Sequence, residues 1–437
     1  MKQDKFLVFF LLYWILYSGV ISVFIFKNEI FSIIPDCVLL YLFTRACKYK
    51  KRQKISKYIH QFIPAFCTSF LILGTISMII NGSFFIPYFW NIRFYIRSLL
   101  TSYIIWQIMD INDCLKYKKI MYYAFLPNLI FCIIENFTGK GGDALGGLFG
   151  GGNMEMVLYL MLMIFLATAD YYNGILSKFK LFSILVISLL LSFLGEIKLL
   201  YITIPLFWYI GNILFHKFRF KQIATLIVGL VLFIPTMQFF LSFFYDSNYV
   251  NSVFTIEQTK AYTSENSFII GQENGMNRSS SIKMTNEMIL KDTPHLLGGY
   301  GIGASSTSKI FYSPIGSKFR DTFFFLFTPS YILVETGWIG LILYISIFIL
   351  LQLTFFRYYK KYNDSILKYW SALGILGTIM TFILIWYNIT PVLVFLIFNY
   401  FFAFCLVAIR DRLNILRKST YQKHITLNDN TNNSFNL

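Results

Sequence analysis

Charge is scarce in this sequence. Only 14% of its 437 residues are Asp, Glu, Lys or Arg, against about a quarter in a soluble domain. Histidine occurs four times, and there is no Cys-x-x-Cys, no His-Glu-x-x-His and no His/Asp/Glu cluster with ligand spacing, so neither a metal nor another cofactor is expected. The six cysteines, Cys37, Cys47, Cys67, Cys114, Cys132 and Cys405, fall in apolar runs or on the basic side of the chain. That placement excludes an extracytoplasmic disulfide framework. Residues 6–26 read as a full-length span without a small-residue cleavage site, so no cleavable signal is expected.

What is abundant is apolar surface: 57% of the residues are hydrophobic and the mean hydropathy is +0.61. Spans need roughly 17–25 mostly apolar residues. Windows of that length place helices at 6–26, 30–46, 60–80, 93–111, 119–137, 153–171, 181–195, 199–215, 222–244, 323–351, 369–387 and 390–409. The expectation is an all-α polytopic protein of about twelve transmembrane helices, a single membrane domain over 1–437 with a cytoplasmic tail at 410–437. The net charge of +17 would suit nucleic acid, but its distribution does not. With the N-terminus inside, KYKKRQKISK (48–57), KYKK (116–119), KFK (178–180), HKFRFK (216–221), RYYKK (357–361) and the tail share one side. About 26 of the 38 Lys and Arg then lie there, as the positive-inside rule requires. The basic excess is an orientation signal for a multi-pass cytoplasmic membrane protein with both termini inside, and nucleic acid is not an expected partner.

Against this background, each charge inside an apolar run needs an explanation, because it costs several kcal/mol at mid-bilayer (about 2.5–3.5 for Lys or Asp). Glu196 and Lys198 interrupt an otherwise uncharged run from Leu181 to Phe215. Both flanking basic runs are inside, so these 35 residues cross twice and the pair sits at the outer hairpin. It reads as a solvated turn or as a partly buried pair facing a cavity. The absence of an Asn, Asp or Ser cluster favours the second. Arg93 and Arg97 begin the fourth span at i, i+4, either snorkelling to headgroups or lining the outer mouth. Glu335 lies about 9 Å below the start of the tenth helix at Pro329. A carboxylate there must face protein or water, and desolvation would suit it to general-base work.

Two outer segments stand out. TGKGGDALGGLFGGGNME (138–155) is Gly-rich, and its backbone N–H groups could turn toward an anion. It matches no nucleotide fingerprint and reads better as a re-entrant connection. Residues 245–322 form one large loop, far longer than the roughly 15 residues of an ordinary connection. Its seven basic and seven acidic residues suit a folded lid. Within it, Ser279–Ser281 make a helix start and Asp292-Thr293-Pro294 a stop. Arg278 would stand beside a vacant helix N-terminus, a combination that favours a diphosphate. His295 reads as a loop residue.

SYILVETGWIGLILYI resembles the segment that ends the large outer loop of bacterial O-antigen polymerases and ligases, where an E-x-G-x-x-G pattern opens the next span. LLGGYGIGASS is similar to the G-y-G-x-G stretch preceding it, and the order of spans and loop matches too. GEIK stands where many of these proteins carry a basic residue. The resemblance implies a GT-C-like helical fold acting on undecaprenyl-diphosphate-linked oligosaccharides without metal or nucleotide. It makes Arg278, Arg93, Arg97 and Lys198 candidate diphosphate ligands, and Glu335 or Glu196 the candidate base. Ligases of this family typically carry a His shortly before E-x-G, and DTFFFLFTPSYILVETG has none. The expectation is therefore a Wzy-type polymerase of O-antigen or capsule. Its partners would be lipid-linked repeat units, membrane lipid and a chain-length regulator. The rivals are an O-antigen ligase acting on lipid A core and a transporter or flippase. The halves show no matching repeats, which argues against a transporter.

Overall fold

The computed structural model describes residues 2–21, 33–49, 55–83, 85–150, 152–215, 275–306 and 313–433, with side chains to 419. Among them 83% are helical and none lies in a strand. The long helices are α1 (Lys2–Leu16), α2 (Ile34–Cys47), α3 (Ile63–Ile80), α4 (Phe85–Ile108), α5 (Ile111–Phe137) and α6 (Met154–Tyr172). They continue with α7 (Lys178–Leu194), α8 (Lys198–Phe215), α9 (Thr328–Lys361), α10 (Ser365–Tyr387) and α11 (Leu396–Asn433). Six of the described helices are long and apolar enough to cross a membrane: Tyr58–Ile80, α5, α6, α8, α9 and α10. The chain is an all-α membrane protein. The expected span at 222–244 and loop residues 245–274 lie outside the described residues.

Helix α6 is apolar on every face and buried from Met156 to Asp170, as a helix enclosed by others must be. It packs against α7, α8, α10 and α11, while α9 joins α10 to α3. Two ends can be told apart by what meets there. At the basic end, Lys5 pairs with Asp113, Tyr358 donates to the Ile55 carbonyl, and Arg412 holds Asp364 at 2.7 Å. At the opposite, loop end, α3 turns into α4, and residues 276–303 cover the first half of α9.

Several boundaries differ from the hydropathy reading, for local reasons. Helix α4 begins at Phe85, eight residues before the expected 93, with Pro87 in its first turn, where its missing N–H costs nothing. Helix α5 begins at Ile111 because Asp110 and Asp113 form a capping box there, so KYKK lies on a helix and not in a loop. Helix α11 runs through the expected tail boundary at 410 and on to Asn433. Arg410 is fully buried at that boundary. Its guanidinium donates to the carbonyls of Trp106 and, at 2.7 Å, Met109, a cation satisfying the C-terminal carbonyls of α4.

Candidate functional site

The glycines of GGYGIG are spaced by two because the segment threads between three helices. Gly299, Gly301 and Gly303 all have positive φ (69°, 102° and 95°). A Cβ on Gly299 would lie 2.5 Å from the Glu335–Thr336 peptide, one on Gly301 2.3 Å from Met78 of α3, and one on Gly303 2.7 Å from Pro87 and Tyr88 of α4. Alternate residues therefore face helix backbone at distances only glycine permits. Ile302, between them, is fully buried with Met78 and Tyr88.

Helix α9 makes room for this segment by breaking. Gly337 has φ 62° and ψ −167°, a region essentially restricted to glycine. A continuous helix would give the Val334 and Glu335 carbonyls to Trp338 and Ile339. Here they accept from Tyr300 N at 2.8 Å and Gly301 N at 2.9 Å. The glycines of E-x-G and of G-x-G-x-G thus form one joint, with backbone bonded to backbone.

Glu335 fastens that joint. It is fully buried. Its Oε1 accepts from Asn91 Nδ2 at 2.9 Å, Gly303 N at 2.9 Å and Ser305 Oγ at 2.7 Å, and its Oε2 accepts from the Tyr95 hydroxyl at 2.8 Å. Four donors without a cation keep a carboxylate inside a bundle. Asn91 and Tyr95 are i, i+4 on α4, so Glu335 ties α9, α4 and the glycine segment together.

Beside the joint lies a cavity of about 330 Å³ between the α3–α4 turn and residues of the 295–315 region, lined among others by Asn81, Ser83, His295, Tyr300, Ser313 and Ile315. Gly303 belongs both to its wall and to the Glu335 cradle. Asp292 N-caps the short helix Thr293–Gly298, accepting from His295 N at 2.9 Å, where a helix stop was expected. That N–H first, and the His295 ring second, hold the Asp292 carboxyl below the usual carboxylate range. His295 Nδ1 is 2.6 Å from Asp292, its Nε2 is 2.7 Å from Asn81 Oδ1, and its ring stacks on Tyr300 at 4.0 Å. His295 is thus a fixed wall residue of a cavity. Its spacing to Asp292 was the one local signal in the sequence.

The arginines have other settings. Arg93 and Arg97 stand two and three turns inside α4, not at its start, and both face Asp36 of α2: Arg97 bonds it in a fork and Arg93 lies 3.7 Å away. They are two positions from Asn91 and Tyr95, so at 100° per residue they project from nearly the opposite face of α4 to Glu335. The Arg93 guanidinium lies 3.5 Å over Trp90, and its buried Nε has no hydrogen-bond partner among the described residues. Arg278 donates from Nε to the Tyr387 carbonyl at 3.0 Å and covers the Tyr387 ring. The helix end beside it is not vacant: Asn277 Oδ1 accepts from Ser279 N and Ser280 N at 3.0 and 2.8 Å. The helix itself is a single turn, Ser281–Met284, passing into the π-turn Thr285–Ile289.

Glu196 and Lys198 are both half-buried in the α7–α8 hairpin. Glu196 takes φ 49°, and its carbonyl accepts from Lys198 N at 2.9 Å. Its carboxylate packs beside Gly142 of the Gly-rich loop, and Asn153 donates to the Gly195 carbonyl at 3.0 Å. The Gly-rich loop does turn its amides to an anion, but the anion is its own. Glu135 Oε2 accepts from Gly146 N at 3.1 Å and Gly147 N at 2.6 Å. Residues 145–150 are buried, and Leu148 accepts from Gly19 N at 2.9 Å.

Among the described residues no group of three or more His, Cys, Asp or Glu side chains could hold a metal ion. Neither a family model nor a curated protein matches this chain.

Proposed function

We propose that this protein is a polysaccharide repeat-unit polymerase of the Wzy type, for O-antigen or capsule. It moves a growing glycan from undecaprenyl diphosphate to the sugar of an incoming lipid-linked repeat unit. In this reading the fold is GT-C-like with about twelve spans in the bacterial cytoplasmic membrane, both termini are cytoplasmic, the loop end faces outward, and a chain-length regulator is a partner. The observation that supports it is the joint itself. The two segments that carry the family resemblance, G-x-G-x-G and E-x-G, are separated by some thirty residues of chain and bond to each other beside a cavity.

The chemistry asks for a cationic seat for the diphosphate and a proton acceptor for the attacking hydroxyl. Two arginines, Arg93 and Arg97, gather at the carboxylate of Asp36. Arg278 presents its guanidinium at the end of α10. Charge-assisted bonds from such groups strengthen as the leaving diphosphate gains charge. Glu335 is a poor base as it stands, since four donors occupy it. Its contribution is to hold the joint.

An O-antigen ligase is the second reading, and His295 on the cavity wall is the observation that favours it. Purified protein with lipid-linked repeat units in detergent separates the cases. A ladder of multiples is the polymerase result. A single transfer to a lipid A core acceptor without a ladder would make it a ligase. No product, with movement of intact lipid across liposomes, would overturn both.

A further inference from the structure

The cavity beside the joint has a chemistry distinct from that of the arginine clusters. Among the described residues its lining holds no Lys or Arg, which suits it less to a diphosphate than to a neutral ligand. Its wall carries the stacked His295–Tyr300 pair and the hydroxyls of Ser83 and Ser313, which donate to the Tyr300 and Ala304 carbonyls and keep lone pairs for a ligand. The Asn81 carboxamide orders the wall through Ser77 and His295. Ile315 supplies an apolar counterface. Its volume of about 330 Å³ sits at the lower limit of small-molecule sites, about 300–1,000 Å³, enough for one sugar ring and too small for an oligosaccharide. Flat aromatic faces suit the C–H face of a pyranose, while neutral hydroxyl groups suit its ring of hydroxyls. Asp292 and His295 face each other at 2.6 Å, so the carboxylate is engaged by the ring that forms the wall. The wall is rigid: Ser77 Oγ donates to the Gly298 carbonyl at 2.6 Å, and Ser83 Oγ to the Tyr300 carbonyl at 3.2 Å.

We propose that this cavity is a subsite for a single uncharged sugar ring, the acceptor residue of the incoming repeat unit, with the His295–Tyr300 pair as its stacking wall. The role as acceptor rests on the polymerase reading; the sugar site itself does not. Binding is tested on the wild-type protein by modifying histidines with diethyl pyrocarbonate in the presence of each of a panel of neutral monosaccharides: glucose, galactose, mannose, rhamnose, N-acetylglucosamine and N-acetylgalactosamine. One of them, at saturation, should slow modification of His295 at least threefold while His60 and His424 react as before. Absence of protection by every monosaccharide would overturn the subsite, whether or not the protein polymerises. Protection in a protein that makes no ladder would overturn the polymerase reading and leave the subsite standing. In an active protein the acceptor role is read with a repeat unit on an alkyl chain, which cannot serve as donor. Ile315→Trp should raise KM for it at least tenfold with donor KM within twofold. Ser83→Phe, filling the cavity from the opposite wall, does the same if Ile315→Trp disturbs folding. An unchanged acceptor KM in a correctly folded variant would assign the acceptor elsewhere.

Discussion

Replacing Glu335 separates two roles that a buried carboxylate can hold. Glu335→Ala leaves Asn91, Tyr95, Ser305 and the Gly303 amide without their acceptor. Each abandoned buried donor costs about 1–3 kcal/mol. Rotation of the two hydroxyls and entry of water recover part of that, leaving a net cost of about 3–5 kcal/mol, a large part of a typical stability of about 5–15 kcal/mol. Glu335→Gln behaves differently. Its carbonyl oxygen can keep the three donors of Oε1, and its amide can donate to the Tyr95 hydroxyl, so the loss is the charge-assisted share, about 1–2 kcal/mol. Hydrogen exchange in detergent reads both. A loss of about 3 kcal/mol raises exchange at the Gly301 and Gly303 amides more than a hundredfold in the alanine variant, at about 1.4 kcal/mol per factor of ten. The glutamine variant should stay within about thirtyfold of wild type. Amides of α6, remote from the joint, should not move in either. If alanine leaves Gly303 as protected as wild type, or if glutamine loosens it equally, the four-donor account is wrong. Glutamine that keeps the joint closed and also keeps turnover would show that Glu335 takes no proton in catalysis.

Three further outcomes follow from named contacts. Gly301→Ala should abolish the folded joint, costing more than about 3 kcal/mol, because its Cβ would lie 2.3 Å from Met78 backbone; Gly82→Ala, at φ 58° with nothing within 4 Å, should cost only about 1 kcal/mol, and equal thermal shifts in detergent would discard the close-approach argument. Asp364 accepts from Arg412 and N-caps α10, and its pKa lies below the usual carboxylate value, first through the Arg412 hydrogen bond; its contribution is therefore complete above the unfolded carboxylate pKa and disappears as pH falls through the folded one. Asp364→Asn should lower stability by about 1–2 kcal/mol at pH 7, and the difference should shrink as pH falls below the ordinary carboxylate range, whereas a pH-independent difference would deny the ion pair. Asp36→Asn should destabilise the α2–α4 contact by about 1 kcal/mol, since the pair is partly exposed and screened, and an unchanged melting temperature would show that the two arginines find other anions.

Reading charged residues in apolar runs located the places that matter but not their partners. Glu335 was conspicuous at its depth, yet three of its four donors sit on α4 and on Ser305, and nothing local in ILVETG marks Asn91 or Tyr95. The glycine spacing was visible as a pattern. Its cause, three helix backbones within about one carbon diameter, exists only once α3, α4 and α9 pack. Asp36 stands in the first turn of α2 after Pro35, and only the α2–α4 contact makes it the counter-ion of Arg93 and Arg97. The Gly-rich loop reads from its sequence as a re-entrant connection whose amides could also turn toward an anion; Glu135, three residues before the loop, supplies that anion from within the chain. Hydropathy placed the apolar stretches well and their ends poorly, because capping side chains such as Asp110 set the ends.

A common logic links these sites. Three carboxylates on the loop side of the bundle are held by donors of their own chain: Glu335 by an amide, a carboxamide and two hydroxyls, Glu135 by glycine amides, Asp36 by two guanidinium groups. The first is a cradle of neutral donors, whereas Glu135 also has the Lys140 ammonium 3.7 Å from its Oε1. The Asp36 setting gathers two guanidinium groups on one carboxylate, and it lies on the far face of α4 from the joint. Helix α4 therefore stands between the cavity and this arginine cluster. A substrate that joins an uncharged sugar to a diphosphate needs both environments, kept apart. Glu335, bonded to Asn91 and Tyr95, fixes which face of α4 meets the joint and so which face carries Arg93 and Arg97.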